Sequence, residues 1–299
     1  MMTSDCKPAV IGRFAPSPSG PLHFGSLLAA VGSYLMAHRQ GGKWLLRIED
    51  IDTPRVRPGA DSAIMHALEQ HGLLWDGTVL YQSQRLARYA EVCSQLAQQH
   101  LLYGCQCSRK QVNAAGNVYP GTCATLKLTG ANLSWRLHAT GVASHFTDQL
   151  LGHQQISPAL AQEDYIIRRR DGLYSYQLAV VIDDWDQGIT EVIRGADLLS
   201  MTPRQQHLFQ VLAARAPKYG HLPLAVTAPG QKLSKQNHAT ALHNWPASYT
   251  MARALTILGM ALPAELQQAP AAEQLHYALA NWHPADIPAA REVVTSDFG

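Results

Sequence analysis

Apolar positions change period twice within the first third of the chain. Val10 to Phe14 is short and partly β-branched, then breaks at a loop rich in Pro, Ser and Gly, which reads as a strand entering a turn. Leu27, Leu28, Val31 and Leu35 recur with helical spacing and predict a helix from Ser26 to Arg39, closed by Gly41-Gly42. Lys43 to Ile48 reads as the next strand, with Asp50 and Asp52 just beyond it. Strand, helix and strand in succession open a parallel α/β sheet. The first loop then sits at a strand's C-terminal end and a helix N-terminus, where anions bind.

Further helices are predicted from Asp61 to His71 and from Gln84 to about Leu102, the latter with Leu86, Tyr89, Val92, Cys93 and Leu96 on one face. From Tyr103 to Gln162 the apolar runs shorten and cysteines cluster, so this stretch reads as an inserted subdomain. Asp164 to Tyr176 reads as two strands joined at Asp171-Gly172, a hairpin signal. Leu178 to Ile182 reads as an apolar strand. After Lys235 the sequence turns Ala/Leu/Gln-rich, with helical spacing at Met251, Leu255 and Leu258 and again at Leu275, Leu279 and Trp282. The expected organisation is a catalytic domain in two halves, 1–102 and 164–243, an insertion over 103–163 and a small helical domain over 244–299.

Composition narrows the class. An apolar fraction of 46% over 299 residues is ample for a core, and a charged fraction of 15% excludes a disordered chain. No apolar run reaches the roughly 18 residues of a membrane span, and the N-terminus lacks a signal's apolar core, so a cytoplasmic protein is expected. Five cysteines, three of them at 105, 107 and 123, favour reduced thiols or a metal site over disulfides. A net charge of +2 is compatible with RNA binding without arguing for it.

Two segments carry the chemistry. Gly12-Arg-Phe-Ala-Pro-Ser-Pro-Ser-Gly-Pro-Leu-His-Phe-Gly-Ser26 places His23 among glycines ahead of a helix, and Lys232-Leu-Ser-Lys-Gln236 brackets a hydroxyl with two cations. Together they resemble the two ATP-binding signatures of class I aminoacyl-tRNA synthetases. Leu46-Arg-Ile-Glu-Asp-Ile-Asp-Thr-Pro-Arg55, Tyr174 to Asp184 and Val192-Ile-Arg-Gly-Ala-Asp197 resemble blocks of the glutamate-specific branch, and the likeness runs from residue 9 to about 240. It implies a Rossmann-like parallel sheet and activation of L-glutamate with ATP and Mg2+. It makes His23 and Lys235 the catalytic pair, with Gly25, Ser26, Lys232 and Ser234 completing the ATP site. Arg13, Phe14, Ala15, Pro16, Ser17, Glu49, Tyr176 and Arg194 become the glutamate pocket. The charges suit that ligand: two carboxylates call for guanidinium forks and an ammonium calls for a carboxylate.

Three soft thiolates at short spacing suit zinc, while a structural site wants four ligands. On chemistry alone the fourth is the oxygen of Tyr119 or a ring nitrogen of His138 or His153. Resemblance to a subgroup of short glutamyl-tRNA synthetase relatives selects Cys105, Cys107, Tyr119 and Cys123, holding a structural Zn2+. His23-Phe-Gly-Ser26 resembles the same subgroup, the glutamyl-queuosine tRNA(Asp) synthetases, and some sixty residues after Lys235 leave little room for an anticodon-reading module. The resemblance implies tRNA-independent activation of glutamate, transfer to queuosine in the anticodon loop of tRNA(Asp), and a monomer. Arg168-Arg169-Arg170 is a candidate phosphate contact. Competing readings are a related catalytic body with another acceptor, and an inactive RNA-binding paralogue.

Overall fold

A computed structural model describes residues 9–232 and 241–295. Strand β1 (Ile11–Phe14) stops at Ala15-Pro16, and helix α1 (Phe24–His38) starts on His23 as its N-cap. Strand β2 (Lys43–Ile48) pairs in parallel with β1, Arg13 opposite Leu45 and Phe14 opposite Leu46. Helix α2 (Ala60–Gln70), the short strand β3 (Leu80–Tyr81) parallel to β2, and helix α3 (Leu86–Gln98) follow.

The middle of the chain holds short antiparallel strands. Strand β4 (Leu102–Cys105), helix α4 (Arg109–Ala114) and strand β5 (Ser134–Leu137) come first. Strands β6 (His145–Asp148) and β7 (Gly152–Gln155) pair with each other, and helix α5 (Pro158–Ala161) leads into strand β8 (Tyr165–Arg168). The sheet β4-β5-β8 forms one body. The β6–β7 pair packs instead beside the parallel sheet, where Leu150 fills the space over Gly220. The hairpin at Asp171-Gly172 turns as expected, with Gly172 at φ +89°, but its second arm shrinks to one bridge between Arg168 and Tyr174.

Leu178 to Ile182 is helical, against the strand expected from its composition. It lies in helix α6 (Tyr176–Asp186), whose residues Gln177 to Asp184 are all buried. A helix buried all round shows no amphipathic period, so an apolar run this short reads equally well as a central strand. Ser175, whose side chain accepts from the Leu178 amide, fixes the helical start.

Strand β9 (Glu191–Gly195), helix α7 (Thr202–Val211) and strand β10 (Lys218–Leu222) complete the sheet, with β10 parallel to β9. Thr190 joins this ladder to the first one by its amide, which donates to the Ile11 carbonyl, and by its hydroxyl, which accepts from the Ile11 amide. The order is therefore β3-β2-β1-β9-β10, with α1 packed on β1 and β9 and so close to the end of β10 that a Cβ at Gly32 would sit 2.5 Å from Leu222. Strand β11 (Leu224–Ala228) pairs with β12 (Gln231–Lys232), then helices α8 (Ala247–Ile257) and α9 (Ala271–Asn281) and strand β13 (Glu292–Val294) follow. Met251, Leu255 and Leu275 share one apolar cluster with Leu27, Leu28 and Leu35 of α1, so the C-terminal helices extend the sheet's own core. No helix among the described residues is long and apolar enough to cross a membrane.

Candidate active site

The two parallel ladders open at their C-terminal ends into a cavity of about 490 Å³, within the usual range for a small-molecule site. Arg13, Phe14, Ala15, Pro16 and Ser17 line it from the end of β1, and His23, Gly25 and Ser26 from the start of α1. Tyr176 enters from the first turn of α6 and Arg194 from β9. Glu49 occupies a small recess beside the cavity, with Ser17, Ser19 and Arg55 common to both. Parallel pairing carries it there: the β1–β2 ladder continues until the Glu49 amide donates to the Pro16 carbonyl at 3.0 Å.

Lys232 ends β12, and Ser234 and Lys235 lie outside the described residues. The flanks of their segment are placed. β11, the partner of β12, begins with the cavity-lining residues Leu224 and Ala225, and Ala241 is bridged to His23 itself. The chain therefore leaves and rejoins the described structure beside the first motif.

His23 has a defined hydrogen-bonding state. Its Nδ1 accepts from the Ser26 amide at 3.3 Å, which assigns the proton of the neutral ring to Nε2, 3.0 Å from the Ser26 hydroxyl. An Nε2–H is the form that donates to a phosphate oxygen.

Beneath the cavity lies a buried charge network. Asp184 accepts from Arg13 Nε at 3.2 Å and pairs with Arg47 at 2.8 Å, so one edge of the Arg13 fork is fixed by protein while the side chain still lines the cavity. Arg47 is fully buried and also approaches Glu49 at 3.5 Å and Asp183 at 3.9 Å. Asp183 in turn accepts from Gln82 and Tyr89. Three carboxylates, Asp183, Asp184 and Asp186, stand in the last turn of α6, where the helix dipole repels anions. Arg13, Arg47, Arg85 and Arg88 offset that repulsion.

The same network sets the ionisation of Glu49. Burial pushes its carboxyl up to about 7, although Arg47 and Arg13 pull it down, because Asp184 and Asp183 share the same cations. Burial alone would also raise Asp184, but contacts with Arg13 and Arg47 hold it below the usual carboxylate range. Glu49 is thus a carboxylate short of a counter-charge, next to a cavity.

Arg194 is more occupied than its sequence context suggests. Its Nε donates to His221 at 3.1 Å, Nη1 to Gln205 at 2.7 Å, and Nη2 to both Thr202 at 2.9 Å and the Leu198 carbonyl at 3.2 Å. Of five guanidinium donors, four have protein partners and one N–H on Nη1 remains. His221, Gln205 and Thr202 carry no motif of their own, so sequence reading missed them. The β9–β10 register, Arg194 opposite His221, is what brings Arg194 and His221 together.

The cysteines do converge. The sulfurs of Cys105, Cys107 and Cys123 lie within 4.8 Å of one another, with Cys107 and Cys123 3.5 Å apart. The Tyr119 hydroxyl accepts from the Cys123 amide at 2.7 Å, and Arg136 lies over its ring. His138 instead lies tilted against Tyr103 beside Asp164, and His153 sits on β7 near His145. Neither histidine joins the cluster. Burial and the neighbouring thiols push the Cys107 thiol up to about 11, so a cation is what three thiolates here would need. Of the three arginines at 168–170, Arg169 pairs with Asp52 and Asp171, Arg168 lies over the Tyr174 ring and Arg170 donates to the Gln106 carbonyl.

The family model for the catalytic domain of class I tRNA synthetases (E and Q) matches residues 9–118 and 125–275. A glutamyl-Q tRNA(Asp) synthetase from Pectobacterium atrosepticum is 50% identical over 96% of this chain and 89% of its own length. One from Yersinia pseudotuberculosis is 52% identical over 93% and 84%. Among solved structures, a glutamate tRNA ligase from Elizabethkingia meningosepticum in complex with its amino acid superposes with a TM-score of 0.77. It is 22% identical, and the match spans 97% of this chain and 68% of that one; this likeness is one of fold.

Proposed function

The chain belongs to the class I tRNA synthetase family for glutamate and glutamine, and from that premise we propose that it activates L-glutamate with ATP and passes it to queuosine in the anticodon loop of tRNA(Asp). It is a ligase of the aminoacyl-tRNA synthetase type. The observation that carries the glutamate reading is the charge pattern of one hollow: Arg13, Tyr176 and Arg194 line it, with Glu49 in the adjoining recess. The acceptor rests on identity of about half the residues with glutamyl-Q tRNA(Asp) synthetases across nearly the whole chain.

The chemistry asks little covalent help from protein. An oxygen of the α-carboxylate attacks the α-phosphorus of ATP, the bond to the bridging oxygen breaks, and pyrophosphate leaves with the electron pair. Catalysis is then positioning and stabilisation of developing charge. Arg13 and Arg194 hold the carboxylates, Glu49 takes the ammonium, and Tyr176 and Ser17 complete the hydrogen bonding. His23 donates to phosphate oxygens above Gly25 and Ser26, where the lack of a side chain at Gly25 admits the nucleotide. Lys232, Ser234 and Lys235 serve the departing pyrophosphate. Asp197 is the carboxylate among the residues lining the main cavity, and the described residues offer no carboxylate cluster of metal-binding geometry. Magnesium is taken as part of the substrate, carried on the phosphates of ATP. In the second step a queuosine hydroxyl attacks the adenylate carbonyl carbon, the bond from that carbon to the phosphate oxygen breaks, and AMP departs with the electron pair while the hydroxyl proton passes to the AMP phosphate or to water.

The thiols of Cys105, Cys107 and Cys123 suit a structural Zn2+ in donor type and spacing, and the Tyr119 oxygen is the proposed fourth ligand, its phenol ionised or polarised by the metal. They would hold the small β4–β5 body together, and no chemical step passes through them.

Labelled glutamate offered with ATP and with tRNA(Asp) that carries or lacks queuosine tests the acceptor. Label is expected on the queuosine-containing RNA alone. Equal labelling of both RNAs, or labelling of tRNA(Glu), contradicts it.

A further inference from the structure

Behind Arg194 runs a fully buried polar chain that the reaction as described does not use. Asp148, at the end of β6, accepts from the Leu150 and Leu151 amides at 2.9 Å and from the His221 amide at 3.2 Å. Its second oxygen lies 2.6 Å from His221 Nδ1. On the far side of the ring, His221 Nε2 lies 3.1 Å from Arg194 Nε. Asp148 is 2% exposed and His221 0%.

The order of donors follows from what each group can do. Arg194 Nε can only donate, so His221 Nε2 must present a lone pair. A carboxylate can only accept, so Asp148 requires the proton on Nδ1. Both ends demand the same state, a neutral imidazole protonated on Nδ1. Burial and the neighbouring Arg194 charge push the ring's pKa down, against the pull of Asp148 and Asp197. With Gln205, Thr202 and the Leu198 carbonyl gripping the remaining inner donors, the guanidinium plane is fixed and one N–H is left for a ligand.

We propose that Asp148 and His221 are positioning residues for substrate recognition: Asp148 selects the Nδ1–H form of His221, and His221 sets the plane in which Arg194 meets a carboxylate of glutamate. The inference rests on the glutamate reading of the cavity. It also gives the β6–β7 pair a task, since a residue remote from the cavity in sequence and in fold reaches the substrate through two side chains.

Two measurements test it. The first is glutamate-dependent exchange of pyrophosphate into ATP. Asp148→Asn keeps the shape but turns an NH2 toward the ring, favouring the Nε2–H form, which sets donor against donor at Arg194. The expected result is a rise in KM for glutamate of about tenfold or more, the scale of one hydrogen bond to a charged group. KM for ATP and kcat should move less than about twofold. His221→Leu should behave alike, whereas His221→Gln, which restores an acceptor for Arg194, should recover most of the affinity. Unchanged glutamate KM in Asp148→Asn and His221→Leu, or losses spread evenly over both substrates and kcat, overturns the proposal. The second measurement needs no substrate. The nitrogen NMR shifts of His221, identified by their absence in His221→Gln, should report Nδ1–H with a bare Nε2 at neutral pH. An Nε2–H ring or an imidazolium overturns the chain even where exchange is missing. Exchange driven by another amino acid, with the Nδ1–H form intact, sinks the glutamate reading instead.

Discussion

Glu49 shows how a single carboxyl can register its missing partner. It stands 3.5 Å from Arg47, yet its carboxyl is pushed up to about 7 because burial outweighs the shared arginines. Below about pH 7 the free protein therefore holds Glu49 neutral, with no charge to offer an ammonium group. Glutamate affinity is expected to fall as pH drops through that range and to level off above it. In Glu49→Gln the pH dependence should flatten and the glutamate KM should rise by about 10- to 100-fold, the loss of a charge-assisted contact. Exchange kinetics from pH 6 to 8.5 would check both. Arg13, Glu49 and Arg194 were legible in the sequence because each stands inside a motif. Their partners were not. Arg47 and Asp184 lie within motif segments, but which carboxylate each arginine would choose depends on packing across more than a hundred residues. Asp148 and His221 carry no local signal at all.

At the level of elements, the opening strand, helix and strand were readable because period and breakers agreed over Val10 to Ile48. The segment from Leu178 to Ile182 defeated the same approach, since a helix buried on every side loses its period. Composition set the stretch from 103 to 163 apart as an expected insertion, but composition could not divide it. The β4-β5-β8 sheet carries the cysteines, and the β6–β7 pair supports Arg194. The cysteine body has a small apolar cluster of its own, centred on Tyr103, Cys105, Tyr119 and Cys123, so a bound cation would contribute much of its stability. One zinc per chain is expected in purified protein. Cys105→Ala should release it and raise amide exchange in β4 and β5 while sparing β9 and β10. Metal-free wild-type protein with unaltered protection in β4 and β5 contradicts that assignment.

At the scale of the molecule, residues from both halves of a parallel sheet meet at its C-terminal edge. Arg13 and His23 come from the first half and Tyr176 and Arg194 from the second. Helices α8 and α9 close the same core from behind and share its apolar cluster with α1. The parallel sheet was legible from the opening strand, helix and strand, whereas the merging of the C-terminal helices with the main core was not, because it depends on which faces meet in space. On the proposed function, this cavity joins glutamate to AMP. The most direct measurement is exchange of labelled pyrophosphate into ATP by the purified protein without any RNA. Exchange that requires L-glutamate, and that neither glutamine nor aspartate supports at equal concentration, is the predicted result. No exchange with glutamate, or equal exchange with other amino acids, would contradict the account.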